Sequence, residues 1–270
     1  YEQEILAWQQ QVETDLRAPD SWLALIGLER LNVGENTVGS AANSDVPLPA
    51  SVPAQIGIIT VQDNVVTMRI TSPGVKIDKA DAVIGESYVL NKGHHDGEMP
   101  LVNIGTVTFF AIEREGDFYA RIRDTNSATR ANFTGRKWFP INPDYRVQAT
   151  FTPHAAKRVV EVETSKGTIS KQQNLGYVEF DLLGERRRLE AFETTGKRLW
   201  FIFKDATSGK QTYGAGRFLY APILSDGTVD LDFNKAYHPP CAFSEYAMCP
   251  FPPPENALRF PVEAGEQYNR

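Results

Sequence analysis

The sequence predicts a mainly β protein with a helical cap at its N-terminus. After Leu31, short runs of β-branched and aromatic residues are separated by Gly, Pro, Asn and Asp, which is typical of β-sandwiches and barrels. Turn sequences such as Gln62-Asp63-Asn64 and Ser165-Lys166-Gly167 indicate that most neighbouring runs are joined as hairpins. Before Leu31, in contrast, apolar residues recur at helical spacing. We therefore expect helices first and antiparallel sheets after them.

The helical cap is predicted over residues 1–30. The apolar residues on one face of its first helix are Ile5, Trp8, Val12 and Leu16. Pro19-Asp20-Ser21 then interrupts the chain and caps a second short helix. The apolar residues assigned to the second helix are Trp22, Leu23, Leu25, Ile26 and Leu28. The prediction is a pair of helices that cover one end of a sheet.

Two β units are predicted after the cap. The runs assigned to strands are GIITVQ, VVTMRI, SYVLN, TVTFFAIER, FYARIRD, YRVQATFT, RVVEVET, LGYVEFDL, RRLEAFE, LWFIFKD and GRFLYAPI. A boundary falls within FTGRKWFPINPDY, because Pro140 and Pro143 remove backbone donors from a sheet. We predict a β-sandwich over residues 31–135 and a second antiparallel β unit over residues 136–270, closed by a proline-rich segment.

Composition limits the partners of this chain. The 270 residues carry a net charge of -6 and a pI of about 5.4, which would repel a phosphate backbone, so we predict no nucleic-acid partner. No apolar run approaches the roughly 20 residues that span a bilayer, so no membrane span is predicted. Because the chain begins at Tyr1 rather than Met, it leans towards an extracytoplasmic protein whose signal or tether was removed. The oligomeric state stays open, and no cofactor is predicted.

The densest mixture of polar and aromatic residues lies between positions 203 and 256, as expected of a small-molecule site with apolar walls. Arg217 follows glycines and precedes apolar residues, so we predict that it starts a strand and points inward, where Asp205 or Asp232 would pair with it. It would then either form a structural ion pair or bind an anionic group of a ligand.

Further polar side chains are assigned to the same site. Asp232 and Asn234 alternate with Phe233, so both lie on one face of an extended segment. There they would either contact a ligand or bond the backbone of a turn. The predicted ligand-binding residues are Arg217, Asp232, Asn234, Tyr213, Asp205 and Tyr237.

Both cysteines lie in HPPCAFSEYAMCPFPPPEN, residues 238–256, which we call the strap. Two prolines hold His238 and Cys241 at a fixed spacing. In one interpretation the imidazole stabilises a thiolate, which makes Cys241 a nucleophile, and Asp232 or Asn234 orients His238. The predicted catalytic residues are therefore Cys241, His238 and Asp232.

Two other interpretations of the strap stay open. Cys241 and Cys249 would form a disulfide or remain structural thiols. Alternatively, His238 and the two cysteines would bind zinc, although the close cysteine pair usual in zinc sites is absent from the sequence. We predict no metal site.

The stretches LNVGENTVGSAANSDVPLP and IGTVTFFAIER resemble the opening and closing of a forkhead-associated domain, a β-sandwich that binds phosphothreonine peptides. The resemblance covers roughly residues 30–115 and implies the sandwich. In that family a Gly-Arg pair opens the binding loop and a Ser followed by a His supports it. In this sequence Gly39-Ser40 occupies the position of the Gly-Arg pair. Ser51 occupies the position of the supporting serine, and Ala54 stands where the histidine is expected. The missing guanidinium argues against phosphothreonine recognition.

The segments WLALIGLERLNVGENTVGS, FKDATSGKQTYGAGRFL and VDLDFNKAYHPPCAFSEYAMCPFPPPEN, with the ending VEAGE, resemble domain-of-unknown-function family 1684 nearly end to end. The resemblance implies no particular activity or cofactor. Members of that family usually have Asn at the position of His238, so a mechanism shared by the family could not depend on this histidine.

Three functions are compatible with these features. The first is binding or processing of a small anionic molecule in a C-terminal pocket. The second is acyl hydrolysis or transfer with Cys241 as nucleophile. The third is a protein-interaction module whose sandwich binds a partner without recognising phosphothreonine.

Overall fold

The structure, a computed structural model, describes residues 1–92, 99–194 and 198–268 and divides into two compact units. One unit comprises Arg17–Phe133. The other comprises Tyr1–Leu16 together with Thr134–Arg270. The first helix, α1 (Glu2–Arg17), therefore groups with the C-terminal part of the chain.

The Arg17–Phe133 unit is a β-sandwich. Its elements are β1 (Leu25–Arg30), β2 (Gly34–Gly39), β3 (Val46–Pro47), β4 (Gly57–Gln62), β5 (Val65–Ile70), β6 (Lys76–Ile77), β7 (Ala80–Asp81), β8 (Ser87–Asn91), β9 (Val102–Ile104), β10 (Val107–Arg114), β11 (Asp117–Asp124) and α2 (Ala128–Ala131). One sheet has the order β1-β11-β10-β9-β6-β7 and the other β3-β2-β4-β5-β8. Side chains from both sheets, such as Val38, Met68 and Phe109, form one buried core. The predicted sandwich is confirmed, whereas its likeness to a forkhead-associated domain stays a prediction.

The second predicted helix is wrong. Trp22–Ala24 form a single 3-10 turn that the Ser21 side chain caps, and Leu25–Arg30 form β1, which pairs with β11. A Cβ atom on Gly27 would lie 2.8 Å from the Ile122 side chain, so the backbone of β1 approaches β11 closely. The apolar run permits a helix or a strand, and pairing with β11 selects the strand.

The C-terminal unit contains a long antiparallel sheet that nearly closes on itself. The strands of this unit are β12 (Lys137–Trp138), β13 (Arg146–Glu163), β14 (Ile169–Leu182), β15 (Glu185–Phe192), β16 (Arg198–Phe203), β17 (Arg217–Pro222), β18 (Thr228–Asp232) and β19 (Glu266–Gln267). Strands β12 and β19 pair with each other in a separate sheet. The sheet order is β17-β16-β15-β14-β13-β18, and a bridge between Ile223 and Val229 brings β18 beside the end of β17. The buried core includes Phe180, Phe203 and Phe233. The prediction of a second antiparallel unit with a proline-rich closing segment is confirmed.

Helix α1 packs on this C-terminal unit. Ile5 and Leu16 are buried, and the Trp8 ring meets the Trp138 ring edge to face at 5.5 Å between centroids. Glu2 and Glu4 lie in the first turn, where the helix dipole favours negative charge. Within the three described ranges, no helix is both long and apolar enough to cross a membrane.

Candidate functional site

Backbone hydrogen bonds hold the strap against the β13–β14 hairpin. The Ser165 amide donates to the Cys249 carbonyl at 2.9 Å, and the Phe251 amide donates to the Glu163 carbonyl at 2.8 Å. A proline begins each of the two 3-10 turns of the strap. At that position a backbone N–H would have no acceptor within the turn, so its absence in proline costs no hydrogen bond. The strap therefore has a defined path that brings Cys249 to the hairpin turn.

Asn256 fastens the far end of the strap. Its side-chain oxygen accepts from the Glu190 amide at 2.7 Å, and its side-chain nitrogen donates to the carbonyls of Glu190 and Ile202 at 3.0 and 2.9 Å. The side chain thus bonds backbone groups of both β15 and β16. Because Asn256 is fully buried, losing it would leave several buried backbone groups without partners.

Cys241 and Cys249 lie side by side, and no disulfide joins them. The Cys241 amide donates to the Cys249 sulfur at 3.3 Å. Ser165 accepts from the Cys249 amide at 3.1 Å through its hydroxyl oxygen, and the Tyr213 hydroxyl donates to the Cys241 carbonyl at 3.0 Å. Cys241 is partly exposed whereas Cys249 is buried. The strap thus places a partly exposed cysteine next to a buried one.

The surroundings of Cys241 favour its thiolate. Hydrogen bonding with Cys249 is the largest influence and lowers the pKa of Cys241. Burial opposes this effect, and the neighbouring Tyr213 and Ser165 side chains lower the pKa further. Burial raises the pKa of the Tyr213 phenol, and the charge of Cys241 adds to this effect. Tyr213 therefore keeps its proton and remains a donor. The thiolate is the nucleophilic form of cysteine.

His238 is buried, and both of its ring nitrogens have partners. Nε2 accepts a hydrogen bond from the Tyr213 amide at 3.2 Å. Since an amide N–H only donates, the ring proton is assigned to Nδ1, which lies 3.4 Å from the Glu266 carboxylate. Glu266 also accepts from the His238 amide at 2.7 Å and pairs with Arg136. His238 thus holds the Tyr213 loop and the strap in place.

Arg217 is fully buried and forms an ion pair with Asp205. One guanidinium nitrogen donates to Asp205 at 2.9 Å and to the Val262 carbonyl at 2.8 Å, and the other donates to the Ala264 carbonyl. Asp205 in turn accepts from the amide and hydroxyl of Thr207. Burial lowers the pKa of Arg217, and the Asp205 charge opposes this effect. Of the two partners we predicted for Arg217, the structure pairs it with Asp205.

Asp232 and Asn234 form hydrogen bonds in and around the turn that follows β18. Asp232 accepts from the Tyr1 hydroxyl at 2.9 Å and from the Asn234 amide at 3.0 Å. The Asn234 side chain donates to the Asn142 carbonyl at 2.9 Å and accepts from the Asn142 amide at 3.1 Å. We predicted that Asp232 or Asn234 orients His238, but the carboxylate next to its imidazole is that of Glu266. Asp232 and Asn234 thus share one hydrogen-bonded network with Tyr1 and Asn142.

Tyr237 belongs to an aromatic cluster on β16 and β17. Its ring stacks on Tyr220 at 6.4 Å between centroids and meets Phe218 edge to face at 6.2 Å. Burial raises the pKa of Tyr237. Of the predicted ligand-binding residues, Tyr213 is the one that the structure brings to the thiol pair.

A cavity of about 350 Å³ lies in the same unit, with the carboxylate of Glu263 as its charged wall. The residues that line it are Phe139, Pro140, Asn142, Tyr145, Gln211, Glu263 and Gln267. A carboxylate in the wall does not favour an anionic ligand. In the described part of the chain, no three or more His, Cys, Asp or Glu side chains are grouped to hold a metal ion.

Sequence reasoning missed Ser165 and Glu266. Ser165 stands in a hairpin turn, and Glu266 contacts His238 from the short strand β19. The contact of Ser165 with Cys249 spans 84 positions in the chain. Glu266 lies in the VEAGE ending that carried part of the family resemblance, and this was the available signal.

Comparison with known proteins supports the family resemblance over the C-terminal half of the chain. The model of a family described as a protein of unknown function (DUF1684) matches residues 131–267. No curated protein matches the chain. An uncharacterised protein of Haloarcula marismortui, solved by solution NMR, is 41% identical; the match covers 51% of this chain and 78% of that one, with a TM-score of 0.43. The matched family segment contains the strap, both cysteines and His238. The chain therefore belongs to the DUF1684 family.

Proposed function

We propose that the C-terminal unit carries out thiol–disulfide exchange through Cys241 and Cys249. The observation that supports this function is the partly exposed Cys241 thiol, with its lowered pKa, beside the buried Cys249 thiol. An accessible, acidified thiol next to a second cysteine is the arrangement that this chemistry requires.

The reaction transfers two electrons from the protein to a substrate disulfide. The Cys241 thiolate attacks one substrate sulfur, the substrate S–S bond breaks, and the first product leaves as a thiolate that takes up a proton. Cys249 then loses its proton and attacks the Cys241 sulfur of the mixed disulfide. The second product leaves, and the protein is left with a Cys241–Cys249 disulfide.

Exchange is better supported than the other functions that we considered. Acyl transfer by Cys241 would need a nearby acid or base, and the ring nitrogens of His238 are occupied by Tyr213 and Glu266. Binding of an anion by Arg217 would require its guanidinium to leave Asp205. Exchange needs only a thiolate and a second thiol.

Oxidised glutathione provides a direct test. Reduced wild-type protein is mixed with it and followed by intact mass and peptide mapping, which is unambiguous because the chain has two cysteines. We expect an internal Cys241–Cys249 bond in the wild type. Cys249→Ser should accumulate a glutathione adduct on Cys241, because the second step is blocked.

The matched variant Cys241→Ser should react more slowly than the wild type by about tenfold or more, because the remaining thiol is buried. Equal rates in Cys241→Ser and wild type would overturn the proposal. A wild type that forms only stable mixed disulfides and never the internal bond would also overturn it.

A further inference from the structure

In the six-stranded sheet of the C-terminal unit, the pairing of β14 with both of its neighbours is irregular at the same place, around Leu175. Towards β13, residues 154–157 stand opposite the single residue Leu175. Towards β15, the register shifts between Asn174 and Gly176. Just beside the break, a Cβ atom on Gly176 would lie 2.2 Å from the Thr152 carbonyl oxygen, so the strands pack tightly there. Bulges of this kind re-aim side chains and recur next to functional sites.

A buried carboxylate lies at this break. Glu190 accepts hydrogen bonds from Asn174 at 2.7 Å and from Arg188 at 2.6 Å. Its Oε2 atom also lies 3.4 Å from His154 Nε2 and 3.8 Å from the Arg158 guanidinium. Burial opposes ionisation of Glu190, but the hydrogen bonds from Asn174 and Arg188 lower its pKa overall. Glu190 is therefore an ionised acceptor.

The contact with the Glu190 carboxylate indicates which ring nitrogen of His154 carries the proton. In the neutral ring of His154, the carboxylate of Glu190 favours the tautomer with its proton on Nε2, and Nδ1 of that tautomer carries a lone pair. The His154 side chain keeps one fifth of its surface exposed, at 20%, so the ring is held by Glu190 yet remains accessible.

His154 lines a cavity of about 230 Å³ at the break. The other lining residues are Ala156, Gln173, Asn174, Leu175 and Glu193. The walls thus combine an imidazole, two amides and a carboxylate with two apolar side chains. Drug-sized ligands occupy sites of roughly 300–1,000 Å³, so this cavity suits a smaller molecule.

We propose that this cavity binds a small neutral polyol the size of one sugar ring, with His154 accepting a hydrogen bond from a ligand hydroxyl. Hydroxyl groups both donate and accept, which matches walls of amides, imidazole and carboxylate. Ala156 and Leu175 offer apolar contact for ring C–H groups. Arg188 pairs with Glu190, so the carboxylate that contacts His154 is balanced without a charged ligand. The cavity is lined by none of the thiol-site residues, so this site stands independently of the exchange function.

The test is NMR of protein labelled with ¹⁵N-histidine, titrated with D-glucose, D-galactose, D-ribose and myo-inositol. We expect the Nε2–H tautomer for His154 and the Nδ1–H tautomer for His238, which serves as the internal reference. At least one of these polyols should shift the His154 Nδ1 resonance saturably and leave His238 unchanged. The His154→Gln variant assigns the signals.

Three variants examine the cavity. Glu190→Gln should weaken binding by about tenfold or more, because it removes the charge that fixes the His154 ring. Ala156→Leu should abolish binding by filling the cavity while leaving the melting temperature near that of the wild type. Glu185→Gln, on the exposed start of the same strand, should bind as the wild type does.

Each contrary outcome is decisive. The proposal is overturned if none of the four polyols gives a saturable shift, or if His154 carries its proton on Nδ1. A response to ethanolamine without a response to any polyol overturns the ligand class. If Glu190→Gln does not fold, Ala156→Leu decides, and undiminished binding by that variant overturns the site.

Discussion

At the scale of single residues, the reactivity of Cys241 depends on the polar side chains that surround it. Cys249, Tyr213 and Ser165 all lower its pKa, although each is supplied by a different part of the chain. Since thiolates accept hydrogen bonds well, donors stabilise the charged form. Removing one donor should therefore raise the pKa of Cys241.

Tyr213→Phe tests this effect. We expect the rate of Cys241 alkylation by iodoacetamide to reach half its maximum at a lower pH in the wild type than the roughly 8.5 of an ordinary cysteine, and at a higher pH in Tyr213→Phe than in the wild type. Alkylation is followed by mass spectrometry across a pH series. Tyr246→Phe, a change within the strap, is the control and should leave the profile unchanged. Identical profiles for Tyr213→Phe and wild type would contradict the assigned role.

The same shift predicts how stability depends on pH. A thiol whose pKa is lower in the folded state than in the unfolded chain stabilises the folded state above the unfolded pKa. This contribution is lost as the pH falls through the folded pKa. Cys241→Ser should therefore lower the melting temperature more at mildly alkaline pH than at mildly acidic pH. Equal losses at both pH values, measured by differential scanning fluorimetry, would count against a lowered pKa.

At the scale of elements, buried ion pairs and side-chain amides fix the segments that surround the thiols. Arg217 and Asp205 join the start of β17 to the backbone near residues 262–264. Asn256 joins the end of the strap to β15 and β16. These side chains provide hydrogen-bond partners for backbone N–H and C=O groups that have none within a regular helix or sheet.

Asp205→Asn should destabilise the protein by roughly 3–5 kcal/mol, because it leaves the buried Arg217 charge without its partner. Asp230→Asn is the matched control, since Asp230 pairs with Arg146 at a partly exposed position. It should cost about 1 kcal/mol or less. Urea unfolding measures both free energies. Equal costs for the two variants would contradict the structural role of the Arg217 pair.

At the scale of the whole molecule, each unit has a hydrophobic core of its own. The sandwich core lies within residues 31–122, and the core of the C-terminal unit lies within residues 145–264. Strand β1 begins at Leu25 and pairs along β11, so the sandwich needs residues that precede our predicted boundary at position 31.

A fragment of residues 17–133 should therefore unfold cooperatively when expressed alone. A fragment of residues 31–135, which follows the boundary predicted from the sequence, lacks β1 and exposes the edge of β11. We expect it to be less stable or to aggregate. Thermal unfolding monitored by near-UV circular dichroism compares the two. Equal stability of both fragments would show that β1 is dispensable.

Local sequence patterns were sufficient to predict most of the longer strands, the sandwich and the family. GIITVQ and VVTMRI form β4 and β5, because alternating β-branched residues around a tight turn leave few other local conformations. The first helix also followed from local spacing, since helix formation depends on neighbours within a few residues.

Which polar residues meet depends on the tertiary fold. Pairing with β11 made a strand of Leu25–Arg30, and the fold chose Asp205 for Arg217 and Glu266 for His238. The break around β14 buries Glu190 on a strand whose charged neighbours indicate exposure. Such contacts join residues far apart in the chain and depend on sheet register and strap path, which local spacing does not encode.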